Sequence, residues 1–504
     1  MKTWSRTKSF QTAKKASDLH PVLSRTQLTS LGVGAVIGAG IFVATGVAIK
    51  TIAGPALVVS FVISGIACIF SALCYAEMAA MVPLAGSAYT YAYATMGELV
   101  AWIIGWDLLL EYAVGAAAVA SGWSGYFQNS ISSTRIVFPQ VVSEAPFKFD
   151  IQTGKLLPTG SVFDLPAVLV VSLFSLVCVR GIRQTAKLNS VLVAVKLIVI
   201  CFVILVGAFF VNPENYSPFA PFGWGGLSFF GKVIAGKQDA SGSPKGVLAG
   251  AAIIFFAYIG FDSIATHTEE SRNPNKDVPI AIIGSLSLCT ILYVLVALVL
   301  AGMVPLQEIN IHSPVSSAFE SQGLVWAQEI IAVGGICGIS SVLLVMLLSA
   351  ARILLAMARD GLIPENFFAE THPDYKTPWK SSILVGILTA ILAGFFPIDA
   401  LLHLTNIGTL LSFLIVCASV PIMRRIRPDT PRPFKCPGSP WVPGVGCFLC
   451  LALMISLPSD NWWRLIVWLL IGLAIYFGYG RKHSKLNWKA EVPSIEIHSS
   501  RQSQ

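Results

Sequence analysis

The sequence predicts an all-α polytopic membrane protein, on three observations. Hydrophobic residues make up 55% of the 504 residues and charged residues only 12%, against roughly 45–50% and 25% in soluble domains. Mean hydropathy is +0.73. Apolar segments recur from Leu28 almost to Tyr479 with no extended polar region between them, so the chain reads as one integral membrane domain.

A helix rising about 1.5 Å per residue needs roughly 20 apolar residues to cross about 30 Å of hydrocarbon. Runs near that length, bounded by polar or Pro/Gly-rich turns, give about twelve spans. The first six run Leu28 to Lys50, Pro55 to Val82, Leu99 to Phe127, Phe163 to Arg180, Ser190 to Val211 and Val247 to Thr268. The second six run Val278 to Gly302, Ala327 to Met357, Ser381 to Phe396, Asp399 to Met423, Val442 to Leu457 and Trp462 to Tyr479.

Orientation follows from the placement of Lys and Arg, which are retained on the cytoplasmic side during insertion. The N-terminal tail carries Lys2, Arg6, Lys8, Lys14, Lys15 and Arg25; alternate loops carry Arg180, Arg183 and Lys187, then Arg424, Arg425, Arg427, Arg432 and Lys435. Arg481, Lys482, Lys485 and Lys489 follow the last span. Both termini are therefore expected in the cytoplasm, and the formal charge of +8 is accounted for without nucleic acid by this rule and by attraction to anionic lipid. The first 27 residues hold no apolar core of the length a cleavable signal needs; a mobile tail is expected there.

The ten cysteines lie in predicted spans, apart from Cys436 in a basic loop, and none lies in an outer loop where disulfides form. Cys447 and Cys450 make a CxxC, but in an apolar helix without the βαβ context of a redox motif. They read as small core residues. No spaced Cys/His set suggests a metal, no motif suggests a cofactor, and neither a Ser/His/Asp constellation nor HExxH suggests an enzyme.

Glycines and charges inside hydrocarbon are disfavoured unless they line a protein cavity. The first span places Gly32, Gly34, Gly38 and Gly40 near its middle, in a run ending Ala39, Gly40, Ile41, Phe42. The sixth reads Phe255, Phe256, Ala257, Tyr258, Ile259, Gly260, Phe261, Asp262. An unwound helix at either place exposes N–H groups at one half-helix start and carbonyls at the other half-helix end, a match for a carboxylate and an ammonium. Close packing of helices is the alternative for either segment alone. The two interruptions are five spans apart, so two five-helix halves would enter the membrane with opposite orientation, an inverted repeat. The division is 28–211 and 247–423, with two additional helices over 442–480 and tails at 1–27 and 481–504.

These segments do not stand alone. After the second span come Pro83, Gly86, Ser87, Ala88, Tyr89, Tyr91, Tyr93, Gly97 and Glu98, then Gly105, Trp106, Asp107, Leu110, Glu111 and Tyr112. Farther on come Phe261, Asp262, Ser263, then Glu269, Glu270, Ser271, Arg272, Asn273, Pro274, and Ala358, Arg359, Asp360, Gly361, Leu362, Ile363, Pro364. Together they resemble the amino acid-polyamine-organocation superfamily, cationic amino acid transporter branch, from about Leu28 to the last span.

The resemblance implies a LeuT-type fold of five plus five inverted helices with two more, and secondary amino acid transport by alternating access. It implies a substrate backbone site at Val36, Gly38, Ala39, Gly40 and Ile41 of the first span and Phe256, Ala257 and Ile259 of the sixth. Amides near Ala39 and Gly40 would hold the carboxylate, and carbonyls of Val36, Phe256 and Ile259 the ammonium. Met346 of the eighth span would meet the substrate side chain; a thioether there leaves little room for a long cationic chain, so neutral amino acids are expected ahead of cationic ones.

Coupling residues are sought among the intramembrane charges. Lys196 lies about six residues, roughly 9 Å, inside its span, from where it could snorkel to water. By the resemblance it stands instead where sodium-coupled relatives hold a sodium ion, as a fixed cation or a proton carrier, making transport sodium-independent. Glu111 reads as a coupling acid or a structural partner, Asp262 as a residue holding the broken helix together or a cap on its backbone donors. Glu269, Glu270, Arg272 and Asn273, with Arg352, Arg359 and Asp360, read as an inner gate or a solvated loop. His403 reads as a core histidine. The expected partners are an amino acid, a proton and membrane lipid, in a plasma membrane, with a bacterial inner membrane preferred because the outer loops are short. A ligand sensor on the same scaffold and a facilitative uniporter are the alternatives.

Overall fold

The computed structural model describes residues 7, 19–38, 40–132, 139–150, 155–238, 244–310, 313–457 and 459–486. Among them, ten apolar stretches form uninterrupted helices: Leu57–Met81, Glu98–Ser132, Leu165–Val179, Ile182–Gly207, Pro274–Met303, Val325–Arg359, Trp379–Phe395, Ile398–Ile426, Trp441–Ser456 and Ser459–Ile475. These are the second to fifth and the seventh to twelfth spans. By length and composition 7 helical segments among the described residues are able to cross a membrane, and the fourth, ninth and eleventh spans are shorter apolar helices. The first and sixth spans fall short because each is interrupted, where the glycines predict it.

The first span begins at a capping box. The Ser24 hydroxyl accepts from the Gln27 amide at 3.4 Å, and Gln27 Oε1 accepts from the Ser24 amide at 3.0 Å, so the helix Arg25–Val36 starts on a polar turn that hydropathy alone does not register. Leu19 and Leu23 are buried, which replaces the expectation of a mobile tail for these residues; positions 1–6 and 8–18 lie outside the described residues. After Val36 the chain bends, then resumes as Gly40–Ala44, Thr45–Ala48 and Ile49–Ala53. The sixth span runs Val247–Ile254, tightens to a 3₁₀ turn at Phe255–Tyr258, and continues as a second 3₁₀ segment, Phe261–Glu270.

Spans five positions apart pack on each other: the second on the seventh, the third on the eighth, the fourth on the ninth, and the first on the sixth. Because lipid is as apolar as a leucine, such contacts depend on small residues and interhelical hydrogen bonds. The third span supplies Ala116, Ala117, Ala118 and Ala120, all buried. Ser60 and Ser64 of the second span donate to the carbonyls of Val247 and Ala251 at 2.8 and 2.6 Å, fastening the first half of the sixth. In their most apolar windows the third and eighth spans are 78% and 72% buried and the fifth and twelfth only 33% and 22%, so the former pair forms the core and the latter pair faces lipid.

The loops add strands that an all-α expectation does not include. Phe147–Asp150 pairs with Lys155–Pro158, and Leu227–Phe229 with Lys232–Ala235. The second hairpin is pinned to the eleventh span, where Phe230 donates its amide to Ile455 O at 2.8 Å and the Ser228 hydroxyl donates to Ser456 O at 2.7 Å.

Candidate functional site at the two helix breaks

The two breaks touch through backbone, and two glycines permit it. Gly260 has φ of 117°, and a Cβ there would lie 2.8 Å from the Ala35 carbonyl oxygen. A Cβ on Gly40 would lie 2.5 Å from Ala257 Cβ and 2.7 Å from its Cα. Each break therefore sits against the opposite broken span, and only glycine fits at both points. Tyr293 of the seventh span completes the junction: its hydroxyl lies 2.8 Å from Val36 O and 2.9 Å from Ala257 O. One phenolic proton serves these two carbonyls, one from each broken span. Val36 O keeps a second lone pair for another donor.

Of the expected substrate residues, Val36, Gly38, Gly40, Ile41, Ala257 and Ile259 are brought together at this junction and are buried. Ala39 lies outside the described residues; Phe256 contributes a described backbone position in the 3₁₀ turn but no described side chain, as does His403 in the tenth span. Met346 is buried on the eighth span, one turn beyond Val342, whose Cγ2 lies 2.5 Å from where a Gly38 Cβ would be. The face of the eighth span that carries Met346 thus looks onto the first break.

Lys196 is fully buried. Its Nζ donates to Val33 O at 3.0 Å, Gly34 O at 3.1 Å, Ile37 O at 2.7 Å and Ser341 Oγ at 2.7 Å. Snorkelling is thereby corrected: the side chain turns inward, and lipid-facing positions of the same helix are taken by Ile198 and Leu205. The physical reason is the open carbonyl end of Arg25–Val36, which carries unpaired acceptors and partial negative charge that a buried ammonium satisfies. The single Ser341 hydroxyl proton is shared between Gly338 O at 2.7 Å and Gly34 O at 3.0 Å, tying the eighth span into the cage.

The acids occupy the opposite flank. Asp262 accepts a short hydrogen bond from the Tyr112 hydroxyl, joining the sixth span to the third. Glu111, one residue earlier on the third span, is buried beside the Thr409 hydroxyl of the tenth. Asp107, one turn before Glu111, is buried too, its carboxylate packed against Gly408. Lys196 and Glu111 therefore belong to different walls, the fifth and the third spans, and are not an ion pair.

Of the charged motifs beyond the sixth span, Glu269, Glu270, Arg352 and Arg359 form a paired network, whereas Arg272 and Asn273 are exposed. Arg352 Nε and Nη2 each donate at 2.7 Å to the two oxygens of Glu270, and both side chains are almost wholly buried. His267 Nδ1 is 3.1 Å from the same carboxylate. Arg359 pairs with Glu269 at 2.8 Å, and Glu269 also accepts the Ala85 amide at 2.9 Å. The start of the first span is clamped beside them: Leu23 N donates to Glu270 O at 2.8 Å, Arg272 N to Leu23 O at 3.0 Å, and Arg25 pairs with Asp277 at 2.9 Å. At the other end the helix Pro314–Ser321 covers the first span, with the Pro314 ring against Gly46, and Lys50 donates to Ile309 O at 2.7 Å.

Sequence reasoning misses Tyr293 and Ser341, which hold the breaks open, because a lone tyrosine or serine in an apolar span carries no periodic or motif signal. Tyr112 and Asp107 sit within a motif quoted for its resemblance, and only the packing shows what they face.

The sequence profile of the family described as amino acid permease matches residues 23–476. The branched-chain amino acid permease BcaP of Bacillus subtilis is 43% identical over 466 residues, covering 92% of this chain and 94% of the relative. The methylthioribose transporter of the same organism is 41% identical over 473 residues, covering 94% and 96%. Human cationic amino acid transporter 4 is 31% identical, covering 97% and 92%. With an all-α polytopic fold, two facing helix breaks and a profile match over nearly its whole length, the chain belongs to the amino acid permease family of the amino acid-polyamine-organocation superfamily.

Proposed function

We propose that this protein is a sodium-independent, proton-coupled permease for neutral L-amino acids that works by alternating access, with both termini in the cytoplasm of a bacterial inner membrane. The observation that carries the reading is Lys196, whose ammonium lies within 3.1 Å of three carbonyls at the first break. A resident ammonium there supplies the positive charge that a bound metal cation would otherwise bring, and leaves a proton as the coupling ion.

On this reading residues 28–211 and 247–423 are inverted repeats, consistent with the packing of spans five positions apart. The substrate carboxylate takes the amides near Ala39 and Gly40, and its ammonium takes the carbonyls of Val36, Phe256 and Ile259. Main-chain recognition of this kind selects α-amino acids as a class, and Met346 bounds the room for the side chain. The name of the branched-chain relative supports an aliphatic substrate. Glu111 and Asp262 carry the coupling proton, beside a site whose Lys196 charge stays fixed.

A second reading is favoured by the relative named for methylthioribose, almost as similar as the branched-chain permease. That solute has neither a carboxylate nor an ammonium for the breaks to hold. Competition binding of leucine, alanine, arginine and methylthioribose to the purified protein separates the two: leucine displacing at the lowest concentration supports the amino acid reading, and displacement by methylthioribose alone overturns it.

A further inference from the structure

The hairpin between the fifth and sixth spans presents its faces the wrong way round for an element in water. In the pairing of Leu227–Phe229 with Lys232–Ala235, Ser228 is buried against the protein, while Leu227 and Phe229 on the opposite face are exposed. Ile234, the extra residue where the register shifts, is 69% exposed and Phe229 51%. A strand pair with one face in water keeps that face polar; this one keeps it apolar. The two-residue turn is Phe230-Gly231, with φ of 48° and 79°. The first place in such a turn ordinarily takes Asn, Asp or Gly, and a bulky side chain there is strained. Phe230 sets its ring 5.4 Å from that of Trp462 in the twelfth span and is still partly exposed.

The eleventh span fixes the depth of this hairpin. Trp441–Ser456 has 16 residues, roughly 24 Å at about 1.5 Å per residue, against about 30 Å of hydrocarbon. With Trp441 at one interface, the carbonyl end stops short of the other. Carbonyls at a helix end lack intrahelical donors, and within hydrocarbon each has to find another. Here they do: Met454 O accepts from Trp462 Nε1 at 3.1 Å, Ile455 O from the Phe230 amide at 2.8 Å and Ser456 O from the Ser228 hydroxyl at 2.7 Å. Two of these three donors belong to the hairpin. The exposed stripe of the eleventh span, Val445, Phe448 and Leu451 at helical spacing, leads to Ile455 and so onto the hairpin.

We propose that the hairpin 227–235 is inserted in the bilayer leaflet remote from the basic loop that carries Arg424 to Lys435, with Leu227, Phe229, Phe230 and Ile234 against phospholipid acyl chains. Hydrocarbon in place of water accounts for the apolar outer face, for phenylalanine at the turn and for the sealed carbonyls of the eleventh span. Lys232, beside the turn, has a stem long enough to carry its ammonium back to the phosphates. The loop leading to the hairpin also caps the sixth span: the Val247 and Leu248 amides donate to Gly223 O and Gly225 O at 3.1 and 3.0 Å. An element held by lipid thus fixes the start of the span that carries the second break.

Photocrosslinking tests the insertion. Phe229 and Ile234 are replaced, one at a time, with the photoreactive p-benzoylphenylalanine in the full-length protein, which is reconstituted in liposomes of dioleoyl phosphatidylethanolamine and phosphatidylglycerol, irradiated and mapped by mass spectrometry. Two positions are used so that a folding defect in one variant leaves the other to decide. Ile198, exposed on the fifth span, serves as the lipid-facing reference, and Asp374, exposed in the loop after the eighth, as the aqueous one. Peptides carrying positions 229 and 234 should gain the mass of a phospholipid as readily as the Ile198 peptide, with fragmentation locating the bond in an acyl chain, and the Asp374 peptide should not. Unmodified 229 and 234 peptides beside a modified Ile198 peptide overturn the proposal. Attachment to headgroups alone does so too, placing the hairpin on the surface, and a crosslink to another peptide assigns the face to a second copy of the chain instead.

Discussion

Replacing Lys196 with methionine keeps most of the side chain's bulk and removes an ammonium that lies within 3.1 Å of three carbonyls and a hydroxyl. The loss is unequal among them. Val33 O still accepts the Ile37 amide at 3.1 Å, and Gly34 O still accepts the Ser341 hydroxyl at 3.0 Å. Ile37 O, at 2.7 Å the closest carbonyl to the ammonium, loses that donor where the first helix ends. Leaving a buried acceptor without its donor costs about 1–3 kcal/mol. The desolvation penalty of burying a charge is relieved at the same time, so the net effect on unfolding is smaller than the effect on the break itself. If the break is the substrate site, relaxing Ile37 by that amount weakens leucine binding by about 5- to 150-fold, at tenfold per 1.4 kcal/mol. Equilibrium binding of radiolabelled leucine to purified protein in sodium-free detergent solution measures this. Wild-type affinity in Lys196→Met refutes the assignment of the break as the site.

Three further outcomes follow from the same geometry. Gly40→Ala drives a methyl into Ala257, 2.5 Å from its Cβ; overpacking of about 1–3 kcal/mol separates the broken spans, and leucine binding should fall while the helical circular dichroism stays unchanged. Tyr293→Phe removes the one proton shared by Val36 O and Ala257 O, stranding buried acceptors at a cost of about 1–3 kcal/mol, and should lower the midpoint of thermal unfolding in detergent; an unchanged midpoint would contradict a role for this proton at the junction. On the basic face, Glu270→Gln strands Arg352 in a buried site and should destabilise by about 3–5 kcal/mol, whereas Arg25→Ala breaks a pair whose arginine is 53% exposed and should cost about 1 kcal/mol or less. Paired thermal melts of the two variants decide this, and equal shifts would contradict the distinction.

The sequence makes the spans legible because hydrocarbon imposes a length and a composition on every helix that crosses it. It makes the breaks legible because glycines recur at matching places in two spans five positions apart, where close packing explains either one singly, and Gly40 and Gly260 both sit where the backbone of the other broken span comes within van der Waals contact. Side-chain direction is less accessible. Lys196 near one end of an apolar helix is equally compatible with water or with the interior, and the choice is made by the unpaired carbonyls of another helix more than 150 residues away in sequence, as the separation of 159 from Ile37 illustrates. Tyr293 and Ser341 are invisible for the same reason. The start of the first span and the loop hairpins are missed differently: the capping turn at Ser24 is polar, and the strands at 227–235 are held by a partner helix, neither of which hydropathy records.

The most direct measurement is uptake of radiolabelled leucine and arginine into sodium-free proteoliposomes, with and without an inward proton gradient, for the wild type, Glu111→Gln and Lys196→Met. Leucine uptake stimulated by the gradient, exceeding arginine uptake and lost in both variants, is the predicted result. Uptake that requires sodium, or leucine binding with no flux under any gradient, would contradict a sodium-independent, proton-coupled permease.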